Sequence, residues 1–471
     1  MMREIHRKKE ACGAHACFHE IFDASGSRLL MRTGGREICL EKYRWAALEN
    51  QLKAPNRLYL GYSLSEIMDS GRDLLAERLL SGGIPENCAA VSGILPRQVR
   101  DAYSFIAGQA SWNGVMLNPR GGLYPQTPRN AVSDVEIFSP TLADETLGQI
   151  RPAQVWLDGS LPVAISVHAD ECRLLEITYV CEPGDPGRDP SVWIRALTLD
   201  RQTFETENER FFICGCQLDH QLSCTTAEDY WDVFDSAAYH WLRFRESFAV
   251  LALPDPMLEH ALYGCISAAA VTFSDIHPHY GHRSYAWEIH DHFPPTFLTA
   301  IETAVIMGNA PFAARIADYI LRCAVDAKGR FCYRQGEDRL FGASASEYGQ
   351  FLWLLERYEV PMRGLIDLSG ERLDILIRMG EMLVDTITPS PVFPDLPVVR
   401  MCAEADTNGR VYSYVQNGYW TCRGLNALAD LMDRHDHDGA IWRAEAEKVL
   451  SNTNEAARRL RVDSPYGPLL P

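Results

Sequence analysis

Near Asp229 the hydrophobic pattern of this chain changes period, and that switch constrains the fold more than any single motif. Before it, short apolar runs at 155–167, 174–180, 191–199 and 210–216 are rich in β-branched and aromatic residues. Turn signals such as Asp158-Gly159 and Glu182-Pro-Gly-Asp-Pro-Gly187 separate them, the pattern of successive antiparallel strands. After it, apolar residues recur every three or four positions, as in Phe297, Leu298, Ile301, Ala304 and Val305, or Tyr348, Phe351, Leu352 and Leu355. At least seven such stretches follow, with almost no β signal between them. Strands and then helices, in 471 residues, are too much for one ordinary core and call for more than one domain.

The expected organisation is a mixed region over 1–95, a β-sandwich over 96–228, a linker helix over 229–253 and a helical domain over 254–471. In the first region the spacing predicts one helix over about 64–80, stopped by Ser81-Gly82-Gly83. No fixed repeat length runs through the helical half, so a solenoid of like repeats is disfavoured. Connections of very different length and chemistry suit stacked hairpins closed into a toroid, with the variable loops gathered at one mouth.

The chain holds 45 Lys and Arg against 63 Asp and Glu, a formal charge of -18. Such a surface repels a nucleic-acid backbone, and no basic run is long enough to overcome it. Neutral sugars are indifferent to that charge, and anionic ligands are disfavoured by it. The N-terminal charges are not followed by an apolar stretch, and no window approaches a membrane span, so the expected location is cytoplasmic. The 14 cysteines are scattered without paired Cys-x-x-Cys units, which supports neither a zinc ribbon nor a cluster.

Three polar segments carry chemistry. The first, at 273–295, holds five of the 14 histidines together with Arg283, Tyr285, Trp287, Glu288 and Asp291. Tyr and Trp offer flat faces to sugar rings, while His279, His282, His292 and Arg283 can hydrogen-bond hydroxyls. A carboxyl beside an indole is desolvated, so Glu288 is a candidate general acid. The plain alternative packs Trp287 in the core and pairs Glu288 with Arg283. The second segment, at 401–423, supplies Glu404 and Asp406, and then Gln416, Asn417, Tyr419 and Trp420 ahead of a clear helix. Two facing carboxylates are what glycosidic cleavage needs: one protonates the leaving oxygen, and the other activates water or attacks carbon. The third, at 329–339, offers Tyr333, Arg334 and Glu337, while Ser344 or Ser346 caps the helix that follows. Glu288-x-x-x-His292 has helical spacing, but no complete metal-ligand set accompanies it, and neither a metal nor a cofactor is expected. Dinucleotide, phosphate-loop and Gly-x-Ser-x-Gly markers are missing from the sequence.

The layout resembles the six-hairpin glycosidases, hydrolases and phosphorylases that join a β-sandwich through a linker helix to an (α/α)6 toroid. The resemblance rests on domain order over roughly 100–460 and on two motifs. Tyr280-Gly-His-Arg-Ser-Tyr-Ala-Trp-Glu-Ile-His-Asp291 is similar to a loop that often supplies the general acid, which implies Glu288, or Asp291 in a shifted register. Tyr414-Val-Gln-Asn-Gly-Tyr-Trp420 is similar to a substrate loop of rhamnosidase-like and disaccharide-phosphorylase-like members, and Glu404 upstream is the best match for the base. The resemblance implies a glycoside hydrolase acting on a small saccharide or glycoside, with no nucleic-acid or membrane partner. Phosphorolysis and homo-oligomerisation stay open. Two other readings compete: a non-catalytic carbohydrate-binding or scaffold protein, and a sugar epimerase or isomerase using paired histidines.

Overall fold

The computed structural model describes residues 3–4, 18–22, 28–32, 36–39, 61–81, 104–106, 114–126, 136–150, 152–157, 160–182, 191–203, 205–215, 222–251, 253, 256–271, 273–274, 277–278, 294–332, 344–402, 411–464 and 467–469. The chain divides into two compact units. One is built chiefly from Met1–Glu246 and Val250–Asp275, the other from Ser247–Ala249 and Glu288–Pro471.

The first unit opens with a four-stranded antiparallel sheet of β1 (Arg3–Glu4), β2 (Phe18–Phe22), β3 (Arg28–Arg32) and β4 (Arg36–Cys39). Helices α1 (Leu64–Asp69) and α2 (Leu74–Ser81) follow, where the apolar spacing predicts a single helix. The break is local chemistry. Gly71 takes φ +64°, a left-handed conformation that ends a helix, and the Asp73 carboxylate accepts the Ala76 N–H at 2.9 Å to start the next.

The main sheet is a meander of β8 (Ala153–Leu157), β9 (Leu161–Ala169), β10 (Arg173–Cys181), β11 (Ser191–Asp200), β12 (Thr206–Gly215) and β13 (Ser223–Cys224), each antiparallel to the last. The four apolar runs before Asp229 become β8 to β12, with β12 starting four residues earlier than its run. Every residue of β9 is buried, because both faces of the sheet are covered. One face packs Ile177, Tyr179, Ile194 and Phe212 against Val115 and Leu123, which belong to the small sheet of β5 (Ser104–Ile106), β6 (Gly114–Leu117) and β7 (Leu123–Gln126). The other packs Val163, Ile165, Val167 and Leu197 against Tyr230, Phe234 and Trp241 of α3 (Ala227–Glu246), and against α4 (Pro256–Val271). Strands covered on both sides lose the apolar–polar alternation of a half-exposed sheet, so they appear in the sequence as blocks. Burying a side chain the size of Phe234 contributes roughly 2–3 kcal/mol. Two polar side chains on these faces have partners there. The Arg195 Nε donates to Glu209 Oε1 at 2.8 Å, with its guanidinium 4.9 Å from the Trp231 ring centre. The Tyr179 hydroxyl donates to the Gly121 carbonyl at 2.7 Å.

The second unit contains α5 (Pro294–Ile306), α6 (Ala310–Tyr319) continued by a π turn at Ile320–Ala324, α7 (Ala345–Tyr358), α8 (Glu371–Asp385), α9 (Val415–Arg434) and α10 (Ala440–Leu460). Proline at the first helical position starts α5, and Ser344 starts α7 through a reciprocal cap: its Oγ accepts the Glu347 N–H at 3.3 Å, while its own N–H donates to Glu347 Oε2 at 2.6 Å. The aromatic core joins Phe297, Phe331, Tyr348 and Phe351. The architecture is thus mixed, with an N-terminal β-sheet region and a large C-terminal helical region. Among the described residues seven helices follow α3, against twelve in a ring of six hairpins. No described helix is long and apolar enough to cross a membrane.

Candidate functional site

Helices α5, α7 and α9 run side by side in the same direction. Near their starts, Phe297 of α5 meets Phe351 of α7 with ring centres 5.9 Å apart; further along, the Tyr358 hydroxyl reaches Glu302 Oε1 at 3.5 Å. Gly349 of α7 lies against Gly424 of α9, and two to three turns on, Arg434 binds Glu356 and, at 2.6 Å, Glu359. Both pairs of contacts advance together along the partner helices, which only parallel neighbours allow. The N-termini of the three helices therefore share one end of the layer. The polar segments singled out by composition, 273–295, 329–339 and 401–423, begin ahead of these three helices in sequence, and their parts 279–293, 333–339 and 403–410 lie outside the described residues. Helix N-termini present free N–H groups and a favourable field for carboxylates and other anions.

Most of the expected site residues fall within those segments. Glu288, Asp291, Glu404, His279, His282, Arg283, Tyr285, Trp287, His292, Tyr333, Arg334, Glu337 and Asp406 lie outside the described residues. The base of the Glu404 segment is described. Met401 and Tyr412 exchange two backbone hydrogen bonds of 3.1 Å, and the buried Asn417 amide donates to the Cys402 carbonyl at 3.0 Å. The chain thus leaves and re-enters at one point, against the first turn of α9.

Gln416, Asn417, Tyr419 and Trp420 do not precede their helix, as their polar context suggests. They form its first two turns, because α9 begins at Val415. The start escapes notice because Tyr414 supplies no side-chain cap and Gly418 resembles a turn residue. Gly418 is there for packing instead: a Cβ on it would lie 2.2 Å from Thr453 Oγ1 of α10. The four side chains have different surroundings. Gln416 is exposed; Asn417 is committed to Cys402; Tyr419 donates to Asn454 Oδ1 at 2.9 Å; Trp420 is half-buried against Trp353 of α7, ring centres 5.8 Å apart.

Two arginines join that tryptophan pair. Arg423 stands 4.7 Å from the Trp353 ring centre and 5.9 Å from that of Trp420, while Arg357 stands 5.5 Å from Trp353. Composition gave no notice of Trp353, Arg357 or Arg423, since α7 is read as a core helix. The usable signal is the pairing of Trp353 with Arg357 four residues on, and of Trp420 with Arg423 three residues on, each on one helix face. A cavity of about 740 Å³ lies elsewhere, between the π turn and the start of α8. Its Arg322 and Arg372 are held by Asp318, and its Arg378 by the Ala327 carbonyl.

No family model matches the sequence, and no curated protein does. The fold has a solved counterpart. A crystal structure of a bacterial glucoamylase complexed with acarbose superposes with a TM-score of 0.53 at 10% identity, over 78% of this chain and 69% of that one. The likeness is to a glucoamylase fold. It is distant, spans most of the chain, and fits a β-sandwich joined to an α/α toroid type of helical domain. At this identity it speaks for the fold alone.

Proposed function

We propose that this protein is a glycoside hydrolase acting on a small saccharide or glycoside, with its site where the N-termini of α5, α7 and α9 gather. The supporting observation is that a glucoamylase-like fold carries three polar, carboxylate-bearing segments ahead of three parallel helices that start at one end. In this reading Glu288, or Asp291 in its place, protonates the leaving glycosidic oxygen, and Glu404 deprotonates the attacking water. A developing oxocarbenium centre needs both a proton donor and a carboxylate beside it, and no cofactor is required for either role. The acid must hold its proton near neutral pH, which an apolar neighbour such as Trp287 favours. Tyr333, Arg334, Glu337, Asp406 and Gln416 would hydrogen-bond sugar hydroxyls from around the same end. The domain scheme drawn from the sequence, with the catalytic helices beginning at 254, belongs to this proposal, as does closure of the helices into an (α/α)6 ring.

The test is product release from a panel of aryl glycosides and disaccharides, with and without phosphate, for wild type beside Glu288→Gln, Asp291→Asn and Glu404→Gln. Hydrolysis lost in folded Glu404→Gln and in one of the other two variants supports the pair. Release that requires phosphate makes the enzyme a phosphorylase. A wild type that binds saccharides without cleaving any panel member refutes the catalytic reading.

A further inference from the structure

From the surface shared by α7 and α9 we infer a binding site for an anionic sugar ring, one carrying a carboxylate or a phosphate, built from Trp353, Trp420, Arg357 and Arg423. The inference rests on the proposed carbohydrate function and adds the substrate class.

Among the described residues of the second unit, Arg378 and Arg400 donate to backbone carbonyls, Arg363 has no carboxylate partner, and seven arginines are ion-paired. Arg322, Arg330, Arg372, Arg434, Arg443, Arg458 and Arg459 each face a carboxylate. In a chain with 63 acidic and 45 basic residues, that is the expected fate of an arginine. Arg357 and Arg423 are exposed and, among the described residues, have no carboxylate partner; both are held against the Trp353 ring. A guanidinium lying on an indole keeps its planar orientation and loses little of its hydrogen-bonding capacity, because the N–H groups point along its edge rather than into the ring. Two guanidinium groups held on one ring, without a carboxylate partner among the described residues, are suited to an incoming carboxylate or phosphate, which each can bind in bidentate fashion.

The aromatic half of the site supplies the sugar specificity. Trp353 and Trp420 are both half-buried, so each keeps part of its ring available, and they lean on one another at 57° between planes. An indole surface matches the apolar C–H face of a pyranose, while the adjacent charges match a substituent on that ring. Helical spacing extends the stripe upward on α9, since Gln416 is exposed one turn before Trp420 and at the N-terminal end of the helix. The overall charge of -18 opposes anionic ligands at long range, so an uncompensated local pair is what selective capture of one requires.

The experiment is calorimetric titration of the full-length protein with D-glucose, D-glucuronate and D-glucose 6-phosphate, for wild type, Arg357→Gln, Arg423→Gln and Arg423→Lys, with circular dichroism to verify folding. The expected result is binding of at least one anionic sugar about tenfold or more tighter than glucose, the size of a charge-assisted hydrogen bond. Either glutamine variant reduces that preference while glucose affinity stays the same, and lysine restores part of it. Glucuronate alone identifies a carboxylate site, and the phosphate ester alone a phosphate site. Equal binding of all three sugars, no binding of any, or a preference that survives in both glutamine variants overturns the inference. Aryl-glycoside release measured on the same samples separates the two claims. Cleavage without anionic preference leaves the hydrolase standing and removes this site; an arginine-dependent preference without cleavage does the reverse.

Discussion

A methyl group placed on Gly349 would lie 2.1 Å from the backbone oxygen of Trp420, so α7 and α9 meet backbone against backbone at this point. Gly424 closes the contact from the other side, where an added Cβ would lie 2.6 Å from the Cα of Gly349. Neither obstacle is a flexible side chain that can swing away. Gly349→Ala must push the helices apart and with them the Trp353–Trp420 pair. The expected cost is about 2–3 kcal/mol, the upper range for overpacking, or a fall of about 5 °C or more in the unfolding midpoint. A midpoint within a degree of wild type would show that the helices are not in this contact.

The Asn417–Cys402 hydrogen bond predicts how the Met401–Tyr412 pair beside it responds to a change in the first turn of α9. Asn417→Asp keeps the shape of the side chain but replaces the donor with an acceptor, which faces the Cys402 carbonyl oxygen without a proton between them. The lost bond is worth about 1–3 kcal/mol because both groups are buried from water. Amide exchange of Met401 and Tyr412, whose backbone groups pair beside this bond, is expected to accelerate about tenfold or more at neutral pH, with α10 unaffected. If Glu404 is the base, kcat falls while KM changes little, since the variant displaces a reacting group and leaves sugar contacts in place. Unchanged exchange would remove Asn417 from any positioning role.

The same residues show what a single sequence can disclose. The strands β9 to β11 stand out because burial on both faces turns each into an apolar block, and α5, α7 and α8 because one face repeats every three or four positions. Local exceptions hide. Gly71 splits a helix whose apolar spacing continues across it, and Gly418 sits inside a helix while resembling a turn. Contacts between helices hide more completely: nothing local relates Gly349 to Gly424 or Trp353 to Trp420, and it is packing that makes them neighbours. For the site, the chemistry of the three polar segments and their positions ahead of helices are legible. The parallel alignment that gathers those helix starts is not, because direction within a layer depends on which hairpins become neighbours.

Two reciprocal caps with the same chemistry should differ in strength. Ser63 with Glu66, and Ser344 with Glu347, each make the pair of hydrogen bonds that starts a helix, at 3.3 and 2.7 Å and at 3.3 and 2.6 Å. The first box is open to solvent, and water can replace what Ser63→Ala removes. Ser344 and Glu347 are buried, so Ser344→Ala removes the bond from the Glu347 N–H, which keeps only the Ser344 carbonyl at 3.0 Å, and takes from the buried Ser346 hydroxyl its partner at 2.7 Å. The exposed change is expected to cost about 0.5 kcal/mol and the buried one about 2 kcal/mol. Denaturant midpoints of the two variants measure the difference, and equal shifts would contradict the burial of α7's first turn.

His168 provides a dependence on pH whose sign follows from its surroundings. The ring is fully buried on β9, with Nδ1 donating to the Ile150 carbonyl at 2.6 Å; Nε2 has no hydrogen-bond partner among the described residues, and a Cβ on Gly121 would lie 3.3 Å from it. Burial pushes its pKa down from 6.5 to about 4, against a smaller upward pull from the backbone carbonyls. The unfolded chain therefore binds a proton that the folded protein refuses between these two values. Stability is complete above about pH 6.5, declines as pH falls towards 4, and loses nothing more from this group below that. The full effect is on the order of 3 kcal/mol. Other groups also titrate in this range, so the informative comparison is with His168→Asn, whose Nδ2 can take over the bond to Ile150 and cannot be protonated. Urea unfolding at pH 7 and pH 5 should show the wild type losing more stability than the variant, by at least about 1 kcal/mol. Parallel losses in both proteins would mean that the ring accepts its proton in the folded state, and that the space beside Gly121 admits water.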